Sequence, residues 1–308
     1  MYKESLSGGI ARAKINLHLQ VLNRRKDNFH NLFSIMAEVE IFDLLKLESI
    51  DIIQGGNDLE VEIISSGGRY ASALDGLTSE RNLISLAVKD YLRRSDLGGY
   101  IKFSLEKNIP SGAGLGGGSS DAAEALKMVM AALKREPDHD LFSAALSTGS
   151  DIPFFLSGGI AFAEGRGEIL QQIEQEPGYY VLLVNNGIHI NTGAAYSSLG
   201  RERELPVAMA DMELRKARLE TVLADISLWR ETFINDFEGP VFELYPELGI
   251  LKQSFYDLGA DFALMSGSGS TVYGIFRDRM VAENSAKELE SRGNMLILTK
   301  MYPRKINY

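Results

Sequence analysis

An α+β fold is expected from three features of the chain. Short segments of alternating apolar and polar residues, which suit strands, are interspersed with longer stretches whose apolar residues recur at helical spacing. The two kinds mix without the strict strand–helix alternation of a doubly wound parallel sheet. No internal repeat and no low-complexity linker interrupts the 308 residues.

The elements follow in order. Ile15 to Val21 alternates as a strand, and the polar run Asn23 to Asn28 reads as a turn. Leu32 to Ile53 is apolar and β-branched in patches, which predicts further strands, and Asp58 to Ile64 alternates again. Ser65 to Asp75 is loop-like. Leu83, Leu86, Ala87 and Tyr91 give Asn82 to Arg93 a helical spacing, and Tyr100 to Glu106 is a strand. A helix is expected over about Ser119 to Lys134 and a shorter one over Leu141 to Thr148. Gly159 to Glu164 and Tyr180 to Val184 read as strands. Leu214 to Phe233 and Pro246 to Leu258 read as helices. Asp261 to Met265 and the run ending at Phe276 form strand, tight turn, strand; a helix over Val281 to Arg292 and a strand over Met295 to Met301 close the chain.

Bulk properties narrow the function. Lys plus Arg is 32 against 42 for Asp plus Glu, a net charge of −10. An acidic chain is a poor match to nucleic acid, whose phosphates need a basic footprint, although a local pocket can still be positive. With no cysteine there is no disulfide, thiolate metal site or cysteine nucleophile. The four histidines, His18, His30, His139 and His189, have no metal-ligand spacing. No window approaches the roughly 20 apolar residues of a membrane span, and the start lacks the signature of a signal peptide. About ten residues precede the first motif, too few for a transit peptide. A cytoplasmic, bacterial protein is expected.

The chemistry gathers at Pro110-Ser-Gly-Ala-Gly-Leu-Gly-Gly-Gly-Ser-Ser120. Glycine admits positive φ and lets a ligand approach the backbone closely. Placed before a helix, such a run leaves N–H groups pointing outward at the positive end of the helix dipole, a cradle for phosphate. No lysine follows the glycines, as a Walker loop requires; Ser119 stands there instead. Gly112, Gly114 and Gly117 match the dinucleotide spacing, but the segment after the helix, Arg135 to Leu141, is not the strand that such a fingerprint needs. The plainer alternative is a flexible turn with no ligand.

The segment Lys107 to Ala123 closely resembles the phosphate-binding motif of the GHMP kinases. Four further segments agree, in the right order: Ala13-Lys-Ile-Asn-Leu17, Arg25-Lys-Asp-Asn-Phe-His30, Gly149-Ser-Asp-Ile-Pro-Phe-Phe155 and Ser266-Gly-Ser-Gly-Ser-Thr271. The spelling Gly-Leu-Gly-Gly-Gly-Ser-Ser is most like the branch whose substrate is a cytidine-diphosphate-linked methylerythritol, on the non-mevalonate route to isoprenoids. The resemblance implies two α+β domains, about 1–165 for ATP and 166–308 on the substrate side, with the active site in the cleft between them. It implies a γ-phosphoryl transfer from ATP, with Mg2+, to the 2-hydroxyl of that substrate.

Residue by residue, the resemblance assigns Lys107, Pro110, Gly112, Ala113, Gly114, Leu115, Gly116, Gly117, Gly118, Ser119 and Ser120 to ATP, with Asn82 bordering the adenine. Asp151 becomes the base that orients the acceptor hydroxyl and takes its proton; by itself it reads as a turn or helix cap. Lys14, otherwise an exposed lysine, is placed beside Asp151, holding it ionised. Asn16 shares a strand face with Lys14 and is expected on the methylerythritol hydroxyls or the diphosphate. Phe29 stacks on cytosine and His30 reads its edge; without the resemblance they are an aromatic and a histidine under a loop. The branch usually has Gly and Tyr where this chain has Asn28 and Phe29; Asn tolerates left-handed φ, and Phe keeps the ring face. Tyr196 falls where the opposing aromatic is expected, or is an ordinary helix tyrosine. Ser268 and the glycines of the last motif buttress the loop or touch a phosphate; as a tight hairpin they need do neither. The magnesium ligands and the oligomeric state are not given. Rival readings are another GHMP kinase acting on mevalonate, phosphomevalonate or homoserine, a dinucleotide-dependent oxidoreductase, and a non-catalytic ATP-binding member of the fold.

Overall fold

The computed structural model describes residues 8–56, 58–175, 178–200, 209–291 and 295–302, with side chains from 211 in the fourth of these stretches. The chain divides into two compact units. Described residues of the first fall in 8–13, 41–111 and 116–157; those of the second fall in 14–40, 112–115 and from 158 onward. Two long, paired strands, β1 (Gly8–Arg24) and β2 (His30–Gln54), each contribute residues to both units.

In the first unit, the second half of β2 pairs antiparallel with β4 (Leu97–Glu106), from Leu44↔Glu106 to Gln54↔Leu97, with a bulge between Leu47 and Ser49. β3 (Leu59–Gly67) lies parallel to β4 on its other side. Four helices complete the unit: α1 (Leu83–Arg94), α2 (Gly117–Ala132), α3 (His139–Thr148) and α4 (Ile152–Ser157). Ile84, Ala87, Val88 and Tyr91 recur at three- to four-residue spacing on α1 and are buried, as are Ala122, Ala125, Leu126 and Val129 on α2. That spacing puts each set on one face of its helix.

In the second unit, the first half of β2 pairs antiparallel with β5 (Ile160–Gly165), and β5 with β6 (Ile169–Gln172). A four-stranded antiparallel sheet follows, in the order β10 (Met295–Lys300), β7 (Tyr180–Asn185), β9 (Val272–Phe276), β8 (Phe262–Met265). Its helices are α5 (Thr192–Ser198), α6 (Met209–Leu223), α7 (Trp229–Thr232), α8 (Glu238–Leu244), α9 (Pro246–Asp257) and α10 (Arg279–Ser291). Leu182, Val184, Leu248, Phe255, Met265, Val272 and Leu289 share one core, so α9 and α10 bury their apolar faces on this sheet.

Several expected elements differ. Leu32 to Ile53 is part of one strand, not several. The helix expected over Leu214 to Phe233 stops at Leu223, because the Asp225 side chain accepts from the Ser227 N–H at 3.0 Å and starts a new turn, Ile226–Leu228. α2 ends at Ala132, and Lys134 takes φ 54° instead of continuing the helix. The loop expected from Ser65 begins after Gly67 and contains a short 3-10 turn, Ala71–Leu74. Arg292 lies outside the described residues. Among the described residues, no helix is long and apolar enough to cross a membrane.

Candidate active site

The glycine run leads into α2 as expected. Gly116, its N-cap, is left-handed (φ 70°) and offers no side chain to the first turn. The Ser120 N–H is the first to close a helical bond, onto the Gly116 carbonyl at 2.9 Å. The N–H groups of Gly117, Gly118 and Ser119 precede that bond and belong to the set that no helix satisfies internally. A Cβ at Gly118 would meet only Leu83 Cδ1, at 3.4 Å, so the protein around it does not demand glycine there.

Gly114, in the second unit, is different. Its φ is +78°, and a Cβ there would stand 2.1 Å from the Ser266 carbonyl oxygen. The loop is tied down on this side. Ser266 Oγ donates to the Gly114 carbonyl (2.8 Å), the Lys14 N–H to the Leu115 carbonyl (3.0 Å), and the Thr271 N–H to the Ala113 carbonyl (3.3 Å). The Ser266 to Thr271 motif therefore buttresses the loop, one of the two roles left open for it. Ser268 Oγ itself lies 3.1 Å from Thr192 Oγ1. Behind the motif, buried Asn235 donates to the Met265 and Gly267 carbonyls (2.7 and 2.8 Å) and accepts from the Phe237 N–H (3.0 Å).

Lys14 and Asn16 share a face of β1, and both are buried. Lys14 Nζ donates to Asn16 Oδ1 (2.6 Å), Asn16 Nδ2 to Ser34 Oγ (2.9 Å), and Ser34 Oγ to the His18 carbonyl (2.7 Å). The buried Tyr273 hydroxyl donates to the Asn16 carbonyl at 2.8 Å. This relay fixes both side chains on the strand; Lys14 is not the surface lysine that its type alone suggests.

The hairpin between β1 and β2 carries the expected aromatics. Asn28 has φ 69°, the left-handed conformation that its glycine-like position needs. Phe29 is 46% exposed, with the Arg166 guanidinium 3.5 Å from its ring centre. His30 and Tyr196 stack on each other, centroids 5.0 Å apart and planes at 18°, and Phe237 meets Tyr196 edge-on at 4.9 Å. Tyr196, expected as the opposing aromatic or as an ordinary helix tyrosine, thus stands between His30 and Phe237 in ring contact with both. Burial first, and then the charge of Arg24, hold the His30 pKa below the ordinary 6.5, so the ring is neutral at pH 7 and can both donate and accept.

In the first unit, Asp151 follows Ser150 in the turn that opens α4, where the Ile152 N–H donates to the Gly149 carbonyl at 3.2 Å. Asp151 is half-buried. Asn82 is the N-cap of α1, its side chain accepting from the Ile84 N–H at 2.9 Å. Its side-chain oxygen is committed to the helix start. Lys107 is 2% exposed, and its ammonium lies between the buried carboxylates of Asp43 and Asp121. Pro110 and Ser120 are buried, while Ser119 is half-exposed. Asp43 and Asn235 carried no sequence signal, since each acts on residues far along the chain.

Family models match in two places: GHMP kinases N terminal domain over residues 82–159, and GHMP kinases C terminal over 213–294. The 4-diphosphocytidyl-2-C-methyl-D-erythritol kinase of Syntrophotalea carbinolica is 36% identical over 288 residues, covering 92% of this chain and 94% of its own length. That of Thermodesulfovibrio yellowstonii is 32% identical over 296 residues, covering 96% and 98%. A crystal structure of 4-(cytidine 5'-diphospho)-2C-methyl-D-erythritol kinase, 32% identical, superposes with a TM-score of 0.71 over 96% of this chain and 100% of that one. The chain belongs to the GHMP kinases and, within them, to the 4-diphosphocytidyl-2-C-methyl-D-erythritol kinases.

Proposed function

We propose that the chain transfers the γ-phosphoryl group of ATP to the 2-hydroxyl of 4-diphosphocytidyl-2-C-methyl-D-erythritol, on the non-mevalonate route to isoprenoid precursors. The observation that carries this reading is the start of α2. An uncapped 16-residue helix presents three N–H groups behind left-handed Gly116, with Gly118 leaving its side open. Such a terminus favours phosphate through both its donors and its dipole. Phosphoryl transfer asks the protein mainly for positioning and charge neutralisation.

The residues take the following roles in this reading. Asp151 accepts the proton of the acceptor hydroxyl. Lys14, aimed by Asn16, steadies the acceptor oxygen, and Asn16 binds the sugar-alcohol or the diphosphate. Phe29 offers an exposed ring face to cytosine, and the neutral His30, backed by Tyr196, reads the base edge with one donor and one acceptor. Among the described residues no cluster of three or more His, Cys, Asp or Glu could hold a metal. Magnesium would enter as the partner of ATP, with the Ser119 hydroxyl as a residue that could hold it, and would neutralise charge on the transferring group. Phosphorus NMR of the reaction mixture tests the reading. A new phosphomonoester resonance with the cytidine diphosphate intact is expected; ADP without it, or phosphate on the cytidine ribose, refutes it.

A further inference from the structure

Strand register brings a second loop against Phe29. The antiparallel pairing of β2 with β5 sets Leu32 opposite Gly165. The β1–β2 hairpin therefore ends beside the turn that joins β5 to β6, and both lie in the second unit. That turn reads Gly165-Arg-Gly-Glu168. Gly165 and Gly167 take φ 69° and 115°, conformations that a side chain resists. The Gly167 N–H donates to the Glu164 carbonyl at 3.0 Å, and the Arg166 N–H donates to the Glu168 carboxylate. The turn is closed by its own residues, and it lays the half-buried Arg166 side chain on Phe29.

The hairpin fixes the Phe29 backbone: its N–H donates to Asp27 Oδ1 at 3.2 Å, and its carbonyl accepts from the Arg25 N–H at 2.7 Å. The ring, with no polar atom, can be fixed only through its faces. The Arg166 guanidinium carbon lies 3.5 Å from the ring centre. A cation is drawn to an aromatic face within roughly 6 Å, and a planar guanidinium stacks on it. One face is taken while Phe29 stays 46% exposed, so the other face is left for a base. Hydrogen bonds from Arg25 first, then the Phe29 N–H and the charges of Arg25 and Arg166, hold the Asp27 carboxyl below its ordinary value. A carboxylate of the hairpin thus also attracts Arg166.

We propose that Arg166 is a positioning residue for the acceptor: it stacks on one face of Phe29 and holds the ring to receive cytosine on the other. This rests on the cytosine reading of Phe29 above. Holding the ring before the base arrives removes part of the ordering cost of binding. Arg166 acts through Phe29 and need not touch substrate.

Calorimetric affinities for cytidine diphosphate and for MgATP, on the full chain as wild type, Arg166→Ala, Phe29→Ala and the double variant, test this. Arg166→Ala should bind cytidine diphosphate about fivefold more weakly, and MgATP as the wild type does. In the Phe29→Ala background the same change should cost nothing further, because the ring through which it acts is gone. Wild-type affinity of Arg166→Ala for cytidine diphosphate, where Phe29→Ala binds it weakly, overturns the proposal. An equal loss in both backgrounds also overturns it, since Arg166 would then act on the ligand directly. A parallel loss of MgATP affinity does so too, as the mark of a general disturbance. If Arg166→Ala does not fold, Arg166→Gln, which removes the cation and keeps a long side chain, carries the same cycle. Undiminished binding by Phe29→Ala, or no binding by the wild type, is a separate failure: it removes the cytosine site, and the proposal with it.

Discussion

Gly114 and Gly118 stand four residues apart in one glycine run, yet alanine should act on them in opposite ways. At Gly114 the new methyl carbon would lie 2.1 Å from the Ser266 carbonyl oxygen, on a residue at φ +78°. Left-handed backbone costs a non-glycine residue roughly 1–2 kcal/mol. Relieving the clash pulls the loop off the Ser266–Thr271 turn, with loss of the 2.8 Å and 3.3 Å hydrogen bonds, each worth about 1 kcal/mol. The sum is about 3–4 kcal/mol, enough to lower the thermal midpoint by roughly 10 °C. At Gly118 the methyl meets only Leu83 Cδ1 at ordinary contact distance, inside a helix. Stability should hold or rise by up to about 1 kcal/mol, while MgATP affinity falls about tenfold because the methyl obstructs phosphate at the N–H groups. Differential scanning fluorimetry with a parallel MgATP titration measures both effects. A Gly118→Ala protein that binds MgATP like wild type, or a Gly114→Ala protein of unchanged stability, refutes the reasoning.

Three further outcomes are expected. Asp151→Asn should fold normally and bind both substrates but lose nearly all turnover; retention of most of kcat removes Asp151 as the base. Phe29→Ala should weaken cytidine diphosphate binding by about 1–3 kcal/mol while leaving MgATP affinity unchanged, if the ring stacks on the base; equal affinity for the variant discards the cytosine site. His18 gives an acid-sensitive stability term. Burial among Phe33 and Phe233 lowers its pKa from 6.5 to about 4. The unfolded chain therefore binds more protons between these values, so stability falls as pH drops from 6.5 towards 4, by up to about 3 kcal/mol. Urea unfolding of wild type and His18→Gln over that window should show this component in wild type alone; identical pH slopes contradict it.

Local signals were readable in the sequence where a single segment decides its own structure. The α1 spacing and its Asn82 cap lie within a few residues of one another, and Asn28 takes the left-handed turn that its position requires. The glycine run was legible because so many glycines before a helix serve few purposes. The burial of Lys107 was not legible because it is paired with Asp43, 64 residues away in the chain. The ring contacts of Tyr196 were not legible because Phe237 and His30, on other elements, make them. Asn235 was invisible because its role is to satisfy backbone carbonyls of a distant turn. Long apolar stretches also hide their breaks: Asp225 ends a helix pattern through one hydrogen bond, and the patches of Leu32 to Ile53 merge into one bulged strand.

The central claim is tested most directly by ADP release with MgATP, comparing 4-diphosphocytidyl-2-C-methyl-D-erythritol with mevalonate and homoserine as acceptors. Turnover on the cytidine-linked alcohol alone is predicted. Turnover on mevalonate or homoserine instead, or on none of the three, would contradict it.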